Sequence, residues 1–330
     1  LRSETVHVLR QEEKIMFSVR LIAAVAALAL LPLAAAPRNA SAQGPVLIRL
    51  GGVLTDDLTP VLYAVHEGLY KKAGLDVQVI STSSGTAATT AAVSGAYEMG
   101  KGSAVASFVA HLKGLPLVLV ANGAIWNPKV PFNELLVAAD SSIKTGAELN
   151  GKTIGVPALN DLNTLVTEAW VDQNGGDSKT LHFIEIPNSL AASALAAHRI
   201  DADALQDPQL HDALASGQVK AIAEPYSAIS THFAFGVYFA NKDWAAAHPQ
   251  AVRDWTRITY QAAAYTNTHH AETAPIMADA TKVPLDVLEK LQRVEGATSS
   301  DPALLQPFID AAAKYKLISN AFPAKDLFFQ

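Results

Sequence analysis

Three times between residues 46 and 112, an apolar strand pattern runs into a small polar turn and then a helix start. The first copy is Val46–Leu54, the turn Thr55-Asp56-Asp57-Leu58-Thr59-Pro60, and Val61–Glu67. The second is Leu75–Ile80, the turn Ser81-Thr82-Ser83-Ser84-Gly85-Thr86, and Ala87–Ser94. The third is Tyr97–Lys101, the turn Gly102-Ser103, and Ala104–Leu112. Turns of this kind collect along one edge of a parallel sheet. Free backbone N–H groups and helix N-termini there suit a small polar or anionic ligand. The pattern predicts a binding cleft and by itself points to no catalyst.

The rest of the chain sets the scale. Of 330 residues, 50% are apolar and 17% charged, which suits a well-packed protein of about two domains. A formal charge of −6 and the lack of a basic run argue against a nucleic-acid partner. With no cysteine, disulfides and thiolate metal sites are excluded. After Arg20 the composition changes sharply: Leu21–Ala36 is apolar apart from Pro32, and Ala40-Ser41-Ala42 precedes Gln43. A basic start, a short apolar core and an A-x-A site read as a secretory signal over residues 16–42, with 1–15 an upstream segment. The apolar run is short for a membrane span of ~20 residues and is broken by a proline. Cleavage after Ala42 removes five basic and three acidic residues, taking the formal charge from −6 to −8. The mature chain is then expected to be free and soluble in the periplasm.

A second strand–helix series follows. Strand patterns are read at Leu115–Val120, Phe132–Ala138, Lys152–Val156, Leu181–Ile186, Ala202–Gln206, Lys220–Ala223 and Phe233–Ala240. Leu162, Leu165, Val166, Ala169 and Trp170 recur at helical spacing, giving Leu162–Gln173 one core face. Helices are expected again over 188–198, 249–267, 271–280, 284–293 and 301–316. Alternating strands and helices predict an α/β fold of two lobes, each a mostly parallel sheet flanked by helices. The expected lobes are 43–135 with 237–330, and 136–236. Without a flexible linker the chain should cross between lobes in strands, for which Asn133–Ala139 and Phe233–Tyr238 are the candidates.

Several stretches together carry a resemblance: Pro60–Ile80, Ser84-Gly85 with Gly114-Leu115-Pro116, Leu149–Val156, Arg199-Ile200-Asp201-Ala202 and Asp207-Pro208. In order and spacing the chain resembles the nitrate/sulfonate/taurine type of ABC-transporter substrate-binding protein (SsuA/THI5-like, NMT1-type). That group includes pyrimidine-precursor-binding relatives, whose cysteine-rich motif this chain lacks. The resemblance covers essentially all of 44–328. It implies the type II periplasmic-binding-protein fold, a ligand held between two lobes, and delivery to a membrane permease powered by a separate ATPase. No cofactor and no metal are implied, and a monomer is expected.

The candidate ligand residues follow from both readings. Ser83, Ser84, Gly85 and Thr86 combine a glycine that lets backbone approach closely with hydroxyls at a helix start, and the family places ligand at this turn. Gly102 and Ser103 repeat that logic, and Asn122 follows a buried strand at the same sheet edge. Thr55 and Asp57 stand in the first turn, where Asp56 is read as a solvated turn acid. From the second lobe come Asn160, Asp161 and Asn163 at a helix start, and Asp207 at a strand end. These turns contain no arginine, so anion capture would rest on helix dipoles and hydroxyls worth about 0.3–1 kcal/mol each at exposed sites, unless Arg199 reaches in. The acids and amides favour a small polar organic ligand, with sulfonate, carboxylate and pyrimidine-like molecules as the classes in view. Tyr63, Trp126, Tyr226 and Phe235 are weighed as ligand walls against a core role.

Enzyme readings find little support. There is no G-x-S-x-G elbow, no phosphate loop with its lysine, and no complete dinucleotide loop after Gly51-Gly52. Adjacent His269 and His270 point apart on a helix, so they do not make a zinc pair, and both are read as solvated. The expected function is therefore solute binding for import. The alternatives are an enzyme of the same fold, such as a pyrimidine-precursor synthase, and a sensor subunit presenting ligand to a receptor.

Overall fold

The computed structural model describes residues 44–330 apart from Pro208, so the signal reading over 16–42 lies outside the described residues. In chain order the strands are β1 (Val46–Gly52), β2 (Leu75–Ser81), β3 (Met99–Ser103), β4 (Leu117–Asn122), β5 (Ala124–Trp126) and β6 (Asn133–Ala138). There follow β7 (Thr153–Val156), β8 (His182–Glu185), β9 (Ala202–Gln206), β10 (Val219–Ala223), β11 (Phe233–Ala234), β12 (Gly236–Asn241) and β13 (Glu295–Gly296).

Two five-stranded sheets have one plan. The first runs β2-β1-β3-β12-β4, with β1 parallel to β2 and β3, and β12 antiparallel to β3 and β4. The second, read from its other edge, runs β8-β7-β9-β6-β10, with β7 parallel to β8 and β9, and β6 antiparallel to β9 and β10. In each sheet the antiparallel fourth strand is the one that arrives from the other sheet. The connections carry a small third sheet, in which β5 pairs antiparallel with β11 and β13.

This alters the expected crossing. All of Asn133–Ala138 pairs inside the second sheet, so the expected boundary between 135 and 136 falls within a strand. The first segment between the sheets is instead β5, while the second, β11 leading into β12, coincides with the expected Phe233–Tyr238. β5 carries no strand signal in the sequence because three residues cannot display a period-2 pattern.

Helices cover the sheets where apolar faces demand it. Pro249–Thr266 buries Val252, Trp255, Ile258 and Ala262 over β1, β4 and β12, in one core with Ile48, Leu50 and Tyr238. Tyr70 donates to or accepts from Thr259 at 2.7 Å, tying the short helix Leu69–Lys72 to it. A second core joins Phe108 and Leu119 of the first sheet's other face to Leu165 and Val166 of the helix Leu162–Gln173, and to Phe308 of Gln306–Lys314. Pro45–Gln330 is accordingly one compact unit. Among the described residues, no helix is long and apolar enough to cross a membrane.

Local chemistry sets the helix starts. Ser84 Oγ accepts from Ala87 N–H at 3.1 Å, and Asp161 accepts from Asn163 and Thr164 N–H at 2.9 and 3.2 Å. Thr59, by contrast, is not the cap of the first helix. A 3-10 turn over Asp56–Leu58 runs straight into the helix Thr59–His66, and Thr59 Oγ1 donates to Asp56 O at 2.5 Å. The expected helix over 284–293 shrinks to Leu285–Leu288, because Arg293 is drawn into an ion pair described below.

Candidate ligand site at the junction of the two sheets

The strand ends of the first sheet converge on a buried ion pair. Lys101 of β3 pairs with Asp57 of the first turn; their side chains are 9% and 10% exposed. Thr55 Oγ1 completes the group, donating to Asp57 Oδ1 at 2.7 Å and lying 3.3 Å from Lys101 Nζ. Tyr238 donates its hydroxyl to the Asp57 backbone carbonyl at 3.1 Å, fixing the turn against β12. Sequence reading identified Thr55 and Asp57 but missed Lys101. It stands inside a strand pattern, and only the fold of the first turn over it reveals the pair.

Asp56 corrects an expectation. It is not a solvated acid: Arg293 Nε donates to it at 2.6 Å and Val294 N–H at 2.7 Å. Arg293 also donates to Thr59 Oγ1 at 3.0 Å. A charge pair 237 residues apart in sequence thus closes the first turn onto the C-terminal half.

The second and third turns lie against each other. A Cβ on Gly85 would stand 3.2 Å from Gly102 Cα and 3.4 Å from Ser103 N. Gly85 is therefore required by backbone packing as well as by any ligand. Gly102 and Ser103 are also strand residues rather than a turn, paired with Val237 and Gly236, and Ser103 Oγ accepts from Val105 N–H at 3.4 Å. Gly85→Val is thus expected to lower the melting temperature by an overpacking cost of about 1–3 kcal/mol, and not merely to abolish binding. Thermal unfolding indistinguishable from wild type would contradict this packing. Ser83, Ser84 and Thr86 are exposed at the same helix start.

The second-sheet residues meet this edge through aromatic side chains. Ala104 N–H donates to Phe235 O at 3.0 Å; Phe235 stacks on Phe132 at 5.1 Å; and Asp207 N–H donates to Phe132 O at 2.9 Å. Next along the chain, Asn133 Nδ2 lies 3.5 Å from Asn163 Oδ1. Tyr226 packs edge-on to both Phe132 and Phe235, at 5.5 and 5.6 Å. Trp126 lies 5.0 Å from Tyr226 and donates its Nε1–H to Ser227 Oγ at 3.1 Å. Trp126 and Tyr226 are buried, so these rings form the floor of the junction and not an open wall.

The junction is acidic. Asp161 is pushed up to about 6, mainly by burial, against the hydrogen bonds from Thr164 and Asn163, with Glu185 adding to the rise. Asp207 is likewise pushed up to about 6 by burial, opposed by His211 and assisted by Glu134 and by Asp56 of the other lobe. Glu134 and Glu224 are also raised, chiefly by burial. Burial dominates the rise of the Tyr226 hydroxyl, followed by the charges of Asp161 and Asp57, one from each side. Among the described residues, no group of three or more His, Asp or Glu side chains could hold a metal ion.

The remaining expected contributors have other surroundings. Asn122 is fully buried, its Nδ2 donating to Ser299 O and Asp301 O at 3.0 Å each, and its N–H to Tyr260 Oη at 3.0 Å. It braces the C-terminal segment. Asn160 is exposed with φ 55°, next to the cap. Arg199 is exposed in the turn that enters β9, at the strand edge opposite Asp207. Tyr63 stacks on Tyr265 at 4.8 Å in a separate outer cavity of about 400 Å³. His269 is half-buried and stacks on Tyr265 at 3.8 Å, while His270 is exposed.

Two lobes of matching α/β plan, with polar groups from both gathered at the crossing strands, define the periplasmic-binding-protein class of fold. The solved structures agree. The periplasmic aliphatic sulphonate binding protein SsuA from Escherichia coli superposes with a TM-score of 0.71 at 20% identity, covering 87% of this chain and 93% of that one. The periplasmic nitrate-binding protein NrtA from Synechocystis PCC 6803 gives 0.69 at 13% identity, covering 85% and 84%. The chain belongs to the NMT1/THI5-like family, whose model matches residues 55–273. A curated relative, the formylaminopyrimidine-binding protein of Halalkalibacterium halodurans, is 27% identical over 130 residues; the match spans 39% of this chain and 38% of that protein's length.

Proposed function

We propose that this chain is the periplasmic solute-binding component of an ABC importer. It closes its two lobes on one small polar organic molecule and presents the closed form to a permease driven by a separate ATPase. The observation that carries the reading is the meeting of Thr55, Asp57, Lys101 and Ser103 with Asp161, Asn163 and Asp207 around the Phe132–Phe235–Tyr226 junction. A ligand touching both sides favours the closed state in proportion to its differential affinity. We read the lobes as dividing at β5 and at β11, which form the hinge, rather than at 135/136 within β6. The secretory signal read in the sequence supplies the location, and family membership supports binding over catalysis. The ligands named for the relatives, sulphonate, nitrate and formylaminopyrimidine, set the classes to be screened.

A thermal-shift screen with sulfonates, nitrate, carboxylates, pyrimidines and amines tests the reading. One class should raise the melting temperature, by about 2.7 kcal/mol of stabilisation at a hundredfold excess over its dissociation constant. No response to any class, with chemical turnover of one of them instead, would defeat the transport reading.

A further inference from the structure

The junction's hydrogen-bonding groups are unevenly spent. Several donors that could hold an anion are already engaged. Asn163 and Thr164 N–H donate to Asp161, Ala87 N–H to Ser84, Val105 N–H to Ser103 and Ala104 N–H to Phe235 O. Lys101 is held by Asp57 and Thr55, and Arg293 by Asp56. Asn133 Nδ2 points to Asn163 Oδ1.

What remains without a partner is one pure acceptor, Asn133 Oδ1, and two hydroxyls able to accept as well as donate. Asn133 Oδ1 and Thr164 Oγ1 are buried and receive no hydrogen bond. Tyr226 is 1% exposed, and among the described residues its hydroxyl makes no hydrogen bond. A buried acceptor left unpaired costs about 1–3 kcal/mol, which a bound donor would recover. The aromatic floor adds ring faces that attract cations and repel anions.

We propose that the ligand of this junction carries a positively charged nitrogen, as an ammonium, amidinium or protonated ring nitrogen, with Asp161 as its counter-charge and Asn133 Oδ1 and the Tyr226 hydroxyl as its acceptors. The proposal rests on the solute-binding reading above and narrows its ligand class. Glu185 stands beside Asp161, and Asp161 and Asp57 beside Tyr226; across the junction Asp207 faces Glu134, Asp56 and His211, with Glu224 near Glu134, while the cations Lys101 and Arg293 are paired with Asp57 and Asp56. Carboxylates thus outnumber cations. Because burial holds Asp161 at about 6, cation affinity should fall as pH drops from 8 to 5.

The test is calorimetric titration of the mature protein with benzamidinium, propylammonium, benzamide (the neutral shape match of benzamidinium) and ethanesulfonate. Wild type, Asp161→Asn and Tyr226→Phe are compared at pH 8 and pH 5. Asparagine caps a helix as well as aspartate does, so Asp161→Asn keeps the fold. A cation should bind wild type at pH 8, benzamide should not, and Asp161→Asn should bind about 10–100-fold more weakly, with the pH dependence flattened. Ethanesulfonate or benzamide binding while both cations stay silent overturns the inference and leaves the solute-binding reading standing. So does cation binding indifferent to Asp161→Asn. Silence of all four probes overturns the inference, and the wider screen then decides the solute-binding reading separately.

Discussion

Lys101→Met is expected to cost about 3–5 kcal/mol of folding stability at neutral pH, the usual loss when one member of a buried pair is removed. The physical reason is the charge left behind. Asp57 is 9% exposed, and Lys101 is its ion-pair partner; Tyr238 bonds only the Asp57 backbone. Methionine matches the length of the lysine stem, so packing is largely kept and the loss reports the uncompensated carboxylate. The double variant Asp57→Asn/Lys101→Met should recover most of it, because neither charge is then buried alone. An exposed pair such as Lys282–Asp279, with side chains 78% and 90% exposed, should contribute within about 1 kcal/mol and serves as a control. Urea unfolding of the three variants is the measurement. A single variant within about 1 kcal/mol of wild type would mean that water reaches Asp57 freely and that the pair is not a buried foundation of the first turn.

Asp203→Asn is expected to act in the opposite direction, and only above acidic pH. Asp203 lies in β9 at 1% exposure, its Oδ1 without a partner, and burial alone pushes it up to about 8. The folded chain therefore holds that proton more tightly than the unfolded chain, whose aspartate titrates near ~3.9. Stability from this group is fully present below the unfolded value and is lost as pH rises through about 8. Asparagine never ionises. The variant should match wild type near pH 4 and exceed it by about 3–5 kcal/mol near pH 8. Melting temperatures followed across that range should diverge steadily. Parallel curves would show that Asp203 finds a partner or water which stabilises its charge. The site is also tight: a Cβ on Gly155 would sit 2.3 Å from Asp203 Oδ2, so enlarging Gly155 should disturb the same strand pair.

Particular elements show what the sequence could and could not yield. Ala202–Gln206, Ala104–Leu112 and Leu162–Gln173 fall where their patterns placed them. Each has an apolar face of the right period, and both helices begin at a side chain able to cap. The helix Lys242–Ala247 went unread because six residues offer less than two turns of periodicity. The candidate residues Asp57, Asp161, Asn163 and Asp207 were legible as polar groups at strand ends and helix starts. Lys101, Asn133 and Arg293 were not. Each gains its meaning from a partner brought close only by folding: Asp57, Asn163 and Asp56 respectively. Asn122 was legible at a strand end, and folding engages its Nδ2 with the C-terminal segment, a partnership the sequence could not display.

By itself, then, the sequence determined the alternation of strands and helices, the family, and the set of turns at one sheet edge. Those are consequences of local hydrophobic period, capping and glycine placement, which act over a few residues. The tertiary structure alone decided that β5 makes the first crossing, which charges cancel, and which polar atoms stay unpaired. These depend on contacts between residues tens to hundreds of positions apart, as with Arg293 and Asp56 at 237. The triple turn suggests an anion site; folding spends several of its N–H groups on caps and leaves carboxylates and the unpaired Asn133 Oδ1 at the junction.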